Sequence, residues 1–366
     1  MVNRMGPREA FLDRIRRGGV DLSPRLAAAF AEVPREVFVP DGFQRRDGSW
    51  AEPADPDFLA LVYDDDVLVT KVDGHTPISS SSQPSLMALM IEALDVRPGQ
   101  TVLEVGAGTG YNAALLARLG ASVISVDVQQ DVASRARSAL ARAGIEGVRV
   151  VLGDGYQGFP GVRVDRVIVT VGVAGVSPRW LEQLAGTPDG VVVVPVEHAG
   201  THPVLRVTRD GQARVVSPSS FMTAAGPLTA AHPFPAPAPP RTIKGLVPYA
   251  ESRFDPPLEP LVYRDLWYAA GVWHRRATLA AVPRHEQNCL MLLDEQRTGG
   301  AAILPDGSVV AGGAEAGHYA ADATAVLDRW LDAGRPPMQA WRLSLAAGGD
   351  PDAPILLPCG WELTSV

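Results

Sequence analysis

Between residues 101 and 196, short runs of valine and isoleucine alternate with segments of helical character. The predicted strands are 101–105, 122–126, 148–152, 164–171 and 191–196, and the predicted helices are 111–119, 132–143 and 178–184. Strands that are apolar along their whole length are typical of parallel sheets buried on both faces. The alternation therefore predicts an open, doubly wound α/β sheet of the Rossmann-like kind, with ligands bound at the carboxyl ends of its strands.

Helical segments precede this block. Residues 7–39 predict two helices, the second of which has Ser23 as N-cap and Pro24 at its first position. Residues 84–94 predict another helix, with apolar side chains on one face. The intervening residues 41–57 are rich in Pro, Asp and Gly, which predicts a loop, and Leu68 and Val69 predict a short strand.

The chain changes character after residue 227. Five prolines between 233 and 240 predict a semi-rigid connector. Beyond it, residues 301–311 predict a hairpin around Pro305-Asp306-Gly307, residues 322–333 a helix, and residues 340–345 and 361–364 strands, which together indicate a smaller α+β domain. Its aromatic side chains form either a peptide-docking face or the core of that domain: Tyr263, Trp267, Tyr268 and Trp273.

Composition excludes several classes of protein. Apolar residues make up 46% of the 366 residues, which suffices for a packed core, and the net charge of −8 argues against binding to nucleic acid. Runs of about 18 apolar residues and a secretory signal are absent, which argues against a membrane and favours a cytoplasmic protein. Two cysteines and the spacing of the histidines predict neither a disulfide framework nor a metal site.

The turn after the first strand carries three glycines, Gly106, Gly108 and Gly110. Glycine lets the backbone approach a ligand, and the N-terminus of the following helix offers free N–H groups. A nicotinamide dinucleotide motif would require glycine at position 111, where this chain has Tyr111. Asp127 ends the second strand and can accept both ribose hydroxyls, and Asp154 follows the third, where it can accept an adenine amine. Together these groups predict a nucleoside site.

These residues resemble the class I S-adenosylmethionine-dependent methyltransferases. A closer resemblance, to the protein-L-isoaspartate O-methyltransferase family, covers about residues 20–230. It is carried by VPREVFVP at 33–40, Tyr63-Asp64, Ile78 with Ser82-Gln83-Pro84, GYNAA at 110–114, the strand at 191–196 with Pro195, and Pro227-Leu228-Thr229. The resemblance implies S-adenosyl-L-methionine as cofactor and S-adenosyl-L-homocysteine as product.

The resemblance also assigns site residues. Ser82 is implied as the active-site hydroxyl that orients the substrate carboxylate, and Ser81 and Ser82 are the expected substrate contacts. His75 is a further expected substrate contact, because it lies near the serine run in the sequence. The expected cofactor contacts are Ser79, Ser80, Ser81, Glu104, Gly106, Ala107, Gly108, Thr109, Gly110, Asp127, Val128, Gly153, Asp154, Gly155 and Thr229. The expected division of the chain is N-terminal helices and a substrate-side cap (1–80), a methyltransferase domain (81–230), a linker (231–245) and a peptide-recognition domain (246–366).

Three features depart from the family pattern: the serine run 79–82 is two residues longer, Glu197 replaces an expected glycine, and a long region follows Pro240. They resemble the branch that modifies ribosomally made peptides such as graspetides, lanthipeptides and lasso peptides. We therefore expect methylation of an aspartyl or isoaspartyl residue in a modified precursor peptide, giving an ester that cyclises to succinimide. The alternatives are generic isoaspartate repair in proteins, a peptide-binding module on an inactive scaffold, and a nicotinamide oxidoreductase, which Tyr111 disfavours.

Overall fold

The computed structural model describes residues 6–184, 186, 189–229, 245–283, 285 and 287–364. Its helices are α1 (Phe11–Arg17), α2 (Pro24–Glu32), α3 (Phe58–Val62), α4 (Pro84–Leu94), α5 (Tyr111–Arg118), α6 (Gln130–Arg142), α7 (Pro178–Gln183), α8 (Pro260–Trp273) and α9 (Ala316–Asp332). Its strands are β1 (Phe43–Gln44), β2 (Trp50–Ala51), β3 (Leu68–Asp73), β4 (Thr76–Ser81), β5 (Thr101–Val105), β6 (Ser122–Asp127), β7 (Val148–Leu152), β8 (Arg166–Val169), β9 (Val191–Pro195), β10 (Val204–Thr208), β11 (Gln212–Ser217), β12 (Val247–Ala250), β13 (Ala277–Ala280), β14 (Cys289–Leu293), β15 (Gly300–Ile303), β16 (Val309–Gly312), β17 (Trp341–Asp350) and β18 (Ala353–Leu363).

The largest sheet contains the predicted parallel strands at one end. Its order is β7-β6-β5-β8-β9-β10-β11-β17-β18, parallel from β7 to β9 and antiparallel beyond. The predicted doubly wound α/β architecture is thus confirmed. The antiparallel strands β10 and β11, which the sequence analysis did not predict, continue the sheet.

Alternate side chains of the parallel strands enter different cores. In β8, Val167 and Val169 face a core that includes Trp180 of α7, whereas Ile168 faces the core formed with the N-terminal helices. All three side chains are fully buried. Burial on both faces explains why these strands are continuous apolar runs, and it places their carboxyl ends together at one edge.

A small sheet of order β2-β1-β3-β4 lies ahead of this region. The predicted loop at 41–57 is wrong in part, because Phe43 pairs with Ala51 and Gln44 with Trp50. Turn-forming residues lie between these two short strands. Their abundance predicted a loop, and the strands beside them were not predicted. Ser79, Ser80 and Ser81 form the end of β4 and pair with β3, and Ser82 follows the strand.

The C-terminal region requires a correction. A five-stranded sheet of order β12-β16-β15-β14-β13, within the described residues, contains the predicted hairpin as β15 and β16. The helix predicted from 322 begins at Ala316. The strands β17 and β18 join the large sheet through β11 instead of completing a separate domain over 246–366. The predicted linker 231–245 lies, except for Gly245, outside the described residues.

Candidate active site

The glycine turn between β5 and α5 is shaped by close contacts. Gly106, Gly108 and Gly110 have φ angles of 98°, 50° and 86°, which L side chains rarely adopt. A Cβ atom on Gly106 would lie 2.7 Å from the hydroxyl of Thr170, and one on Gly108 would lie 3.0 Å from the carbonyl oxygen of Ser80. The serine strand β4 therefore lies directly against the glycine turn, as the sequence-predicted site requires.

Asp127 at the end of β6 is attached to this turn. Its carboxylate accepts hydrogen bonds from the backbone N–H of Gly108 (3.2 Å) and of Gln129 (2.9 Å), and burial raises the pKa of the carboxyl group. The neighbouring side chains Val128 and Leu152 are large and apolar, yet they are 57% and 48% exposed. An acid flanked by two exposed apolar side chains suits a ribose with a planar base beside it.

Glu104 lies beneath the turn, fully buried. Its two oxygens accept hydrogen bonds from Asn112 Nδ2 (2.7 Å) and Ser125 Oγ (2.5 Å), and burial raises its pKa to about 7. Both oxygens are thus engaged within the protein. We expected Glu104 as a cofactor contact, but the structure places it where it ties β5, α5 and β6 together.

The turn after β7 presents Asp154 to solvent, and its carboxylate accepts a hydrogen bond from the Tyr156 N–H (2.9 Å). Three contacts fix this turn from behind. The Trp180 indole donates to the Gly155 carbonyl (2.8 Å), the Ser177 hydroxyl donates to the Tyr156 carbonyl (2.7 Å), and the Tyr156 hydroxyl donates to the carbonyl of Pro354 in β18 (2.9 Å). The C-terminal strand therefore supports the predicted adenine side of the site.

The side chains of Ser79 to Ser82 alternate between buried and partly exposed positions along β4 and just beyond it. Ser79 and Ser81 are 7% and 3% exposed, whereas Ser80 and Ser82 are partly exposed. Ser81 Oγ is a buried hydroxyl that has no hydrogen-bond partner among the described residues. His75 lies exposed at the turn between β3 and β4, roughly 20 Å along an extended chain from Ser82. The structure thus separates His75 from the other expected substrate contacts.

A buried arginine holds the serine segment in place. Arg35 is fully buried and has its guanidinium 5.9 Å from the ring of Tyr111. Burial lowers its pKa to about 10, so it stays charged at neutral pH. It donates hydrogen bonds to the carbonyls of Val62, Asp64, Asp66 and Ser82. Arg35 belongs to the VPREVFVP motif, but a single arginine in a helical segment gives no signal of this function.

Asp65 supports the same segment from the other side. Its carboxylate accepts hydrogen bonds from Gln83 Nε2 (3.0 Å) and from the N–H of Ser85 (2.8 Å) in the first turn of α4. This contact fixes the residues just after Ser82. Asp65 likewise belongs to no motif that would predict this role.

Thr229 and the loop before it lie at the carboxyl end of β8. The Thr229 hydroxyl donates to the carbonyls of Ala224 (3.2 Å) and Gly226 (2.7 Å), which closes its own turn. Leu228 is the residue of this loop that packs toward Gly155. The structure therefore uses the Thr229 hydroxyl locally, although we expected it as a cofactor contact.

Glu197 and His202 lie in the loop between β9 and β10. Glu197, one of the departures from the family pattern, accepts a hydrogen bond from the Gly200 N–H (2.9 Å), and burial raises its pKa to about 7. The imidazole of His202 packs on Gly172, and burial lowers its pKa to about 4, which keeps it neutral. In the part of the chain that the structure describes, no group of His, Cys, Asp and Glu could hold a metal ion, and no helix is long and apolar enough to cross a bilayer.

Comparisons with known proteins identify the family to which the chain is similar. The family model of protein-L-isoaspartate(D-aspartate) O-methyltransferase matches residues 6–230. A protein-L-isoaspartate O-methyltransferase from Thermotoga maritima is 40% identical over 179 residues, which are 48% of this chain and 51% of the relative, so the chain spans about half of that relative's length. A protein of the same name from Gloeobacter violaceus is 34% identical over 60% of this chain and 97% of its own length.

A solved structure named protein-L-isoaspartate O-methyltransferase extends the similarity beyond the matched family region. It is 27% identical, with a TM-score of 0.54, and the similarity covers 95% of this chain and 98% of the solved one. The region after Pro240 therefore has a counterpart in a structure of that name. The fold is that of the class I S-adenosylmethionine-dependent methyltransferases, and because the family model matches more than half of the residues, the chain belongs to the protein-L-isoaspartate(D-aspartate) O-methyltransferase family.

Proposed function

We propose that the protein methylates the free carboxylate of an isoaspartyl residue in a protein or peptide, with S-adenosyl-L-methionine as methyl donor. The observation that carries this proposal is the position of β4 against the glycine turn, where the Ser80 carbonyl lies 3.0 Å from a Cβ built on Gly108. The serine residues that we assign to the substrate and the turn that we assign to the cofactor are therefore neighbours. The family membership and the related proteins named above support the same reaction.

The residues present fit this cofactor. The N–H groups of the glycine turn and the carboxylate of Asp127 would hold its ribose and amino acid portions, and Val128, Leu152 and Asp154 would hold the adenine. When bound, S-adenosylmethionine supplies an electrophilic methyl group on a positively charged sulfur. We assign Gly106, Gly108 and Gly110 the role of keeping the backbone close enough for these contacts.

The nucleophile needs no activation by the protein. A carboxylic acid has an ordinary pKa near 4 and is ionised at neutral pH, so no general base is required. The protein must hold the carboxylate in line with the methyl group, and such alignment accounts for about 7–11 kcal/mol of a barrier in well-oriented reactions. We assign this orientation to the hydroxyls of Ser81 and Ser82, with Arg35 and Asp65 holding the segment.

The ester that forms has methoxide as leaving group. The backbone nitrogen that follows the modified residue can attack the ester carbon and close a five-membered succinimide, because the reacting groups are already tethered. The C–O bond to methoxide breaks, and methanol leaves with the proton of the amide nitrogen. Hydrolysis of the ring then gives aspartate or isoaspartate.

A matched pair of peptides tests the proposal. One peptide contains L-isoaspartate and the other contains L-aspartate at the same position, and both are incubated with the full chain and S-adenosylmethionine. We expect mass spectrometry to show gain of one methyl group on the isoaspartyl peptide, followed by loss of methanol. Absence of methylation of both peptides, with cofactor binding intact, would contradict the proposal.

Tailoring of a dedicated precursor peptide is the second candidate. The run of four serines and the C-terminal region favour it, although the similarity to a solved structure named protein-L-isoaspartate O-methyltransferase covers 95% of this chain. The same assay separates the two: methylation restricted to a precursor encoded nearby, without turnover of short isoaspartyl peptides, would favour tailoring. Brisk turnover of unrelated isoaspartyl peptides would favour repair.

A further inference from the structure

Three polar side chains connect the serine strand β4 with the acid that ends β6: Lys71, Gln129 and Asp131. Gln129 lies just before α6 and donates from Nε2 to the carbonyl of Ile78 in β4 (2.9 Å). Its backbone N–H donates to the Asp127 carboxylate (2.9 Å). One residue therefore contacts both the acid that we assign to the ribose and the strand that carries the serine hydroxyls.

Lys71 of β3 fixes the orientation of the Gln129 amide. Its Nζ donates to Gln129 Oε1 (2.9 Å) and to Asp131 in the first turn of α6 (2.8 Å). An ammonium group can only donate hydrogen bonds and a backbone carbonyl can only accept them, so the amide directs its oxygen to Lys71 and its nitrogen to Ile78. The hydrogen bond from Lys71 lowers the pKa of Asp131, which keeps this carboxylate charged at neutral pH.

The pairing of β3 with β4 is irregular where these contacts are made. Lys71 pairs with Ser79 and Val72 pairs with Pro77, so Ile78 stands between two pairs. The register also shifts just before Lys71. A bulge of this kind bends a strand and interrupts its ladder, and bulges are frequent next to active sites. The carbonyl that accepts from the amide therefore belongs to the bulged residue, immediately before the serine run.

The serine segment is thus held at both ends. Arg35 and Asp65 hold Ser82 and the residues after it, and Gln129 holds the residue before the run. Between these contacts, the Ser80 carbonyl lies against the glycine turn. A displacement of about 1 Å at a reacting centre can slow an enzymatic reaction about 100-fold. The contacts that set the position of this segment therefore bear on the rate.

We propose that Lys71 and Gln129 are positioning residues for the methyl transfer. Gln129 holds the serine strand at a fixed distance from Asp127, and Lys71 acts through Gln129 by fixing its amide. The two side chains therefore act as one unit. The inference rests on the proposed function, because the reaction that they position is methyl transfer to an isoaspartyl carboxylate.

Steady-state kinetics of the full chain, with S-adenosylmethionine and an isoaspartyl peptide, test the inference. Gln129→Leu removes the side-chain contacts and keeps the backbone N–H on Asp127. We expect kcat to fall about tenfold, while calorimetry gives an affinity for S-adenosyl-L-homocysteine within about twofold of the unmodified chain. Lys71→Met should lower kcat about threefold, and Lys71→Arg should restore most of it. Because both residues act through one contact, Lys71→Met combined with Gln129→Leu should be no slower than Gln129→Leu alone.

Arg135→Met is the matched control. Arg135 pairs with the same Asp131 carboxylate (2.9 Å) from one turn further along α6, and its loss should leave kcat unchanged. Hydrogen exchange of residues 76–82 gives a readout that needs no turnover. The amides of β4 should exchange about tenfold faster in Gln129→Leu than in the unmodified chain, and at the same rate in Arg135→Met.

Several results would overturn the inference. They are unchanged exchange of β4 in Gln129→Leu, a kcat within about twofold of the unmodified chain, an equal loss of kcat in Arg135→Met, and multiplied losses in the double variant. A parallel loss of cofactor affinity would also overturn it, because Gln129 would then be a cofactor contact. Faster exchange of β4 in Gln129→Leu, with no methylation of isoaspartyl peptides by the unmodified chain, would support the positioning of the strand and refute the proposed function.

Discussion

Replacing Glu104 with glutamine tests how the base of the glycine turn is built. The carboxylate is fully buried, and burial raises its pKa from an ordinary value of 4.5 to about 7. The unfolded chain therefore releases this proton at a lower pH than the folded chain does. Below pH 4.5 both states are protonated at this position, and as the pH rises from about 4.5 to about 7 the folded state loses stability.

The size of the effect follows from the two pKa values. At about 1.4 kcal/mol for each pH unit between 4.5 and 7, the unmodified chain loses about 3 kcal/mol of unfolding free energy that Glu104→Gln does not lose. The difference should be complete just above pH 7. Hydrogen bonds from Asn112 and Ser125 oppose the shift, because they stabilise the charged carboxylate.

Urea unfolding, monitored by tryptophan fluorescence between pH 4.5 and 8, measures this difference. The free energy of unfolding of Glu104→Gln relative to the unmodified chain should rise with pH through that window. Ser125→Ala, in a chain that keeps Glu104, removes a hydrogen-bond donor to the carboxylate. The fall in the free energy of unfolding should then extend to higher pH. A difference that is constant with pH, or that shrinks as pH rises, would refute the reasoning.

Three further substitutions probe the cofactor and substrate sides. Asp127→Asn should weaken S-adenosylmethionine binding about 10- to 100-fold in calorimetry, because charge-assisted hydrogen bonds are lost. Asp210→Asn, in an exposed turn, is the control and should leave the binding unchanged. Equal effects of the two substitutions would contradict the assignment of Asp127. Ser82→Ala should slow methylation at least tenfold with cofactor affinity within about twofold, and parallel losses would show that the serine contacts the cofactor. Tyr156→Phe removes the hydrogen bond to Pro354 and should lower the free energy of unfolding by about 1–3 kcal/mol. It should also reduce cofactor affinity more than peptide affinity. An unchanged cofactor affinity would mean that β18 does not support the turn after β7.

The parallel part of the fold could be predicted because its signals are local. Continuous apolar strands and a proline at the first position of α4 marked β5, β7 and α4 with the bounds that the structure shows. The pairing of β17 with β11 could not be predicted, since it joins residues about 130 positions apart. Side chains alternate between the two faces of a strand in the same way whichever sheet the strand joins.

The candidate site likewise contains residues that motifs predicted and residues that no motif predicted. The glycine turn, Asp127 and the serine strand were predicted from motifs, and the structure brings them together. The supporting groups Arg35 and Asp65 act on backbone atoms of segments distant in sequence, so no spacing rule identifies them. The predicted role of His75 depended on its nearness to Ser82 in sequence, and an extended strand turns that nearness into separation.

The most direct test of the account is a crystal structure of the full chain with S-adenosyl-L-homocysteine. We predict that the ribose hydroxyls lie on the Asp127 carboxylate, that the base lies between Val128 and Leu152, and that the sulfur faces Ser81 and Ser82. A cofactor bound at another edge of the sheet, or bound in the crevice with its sulfur turned away from the serine strand, would contradict the central claim.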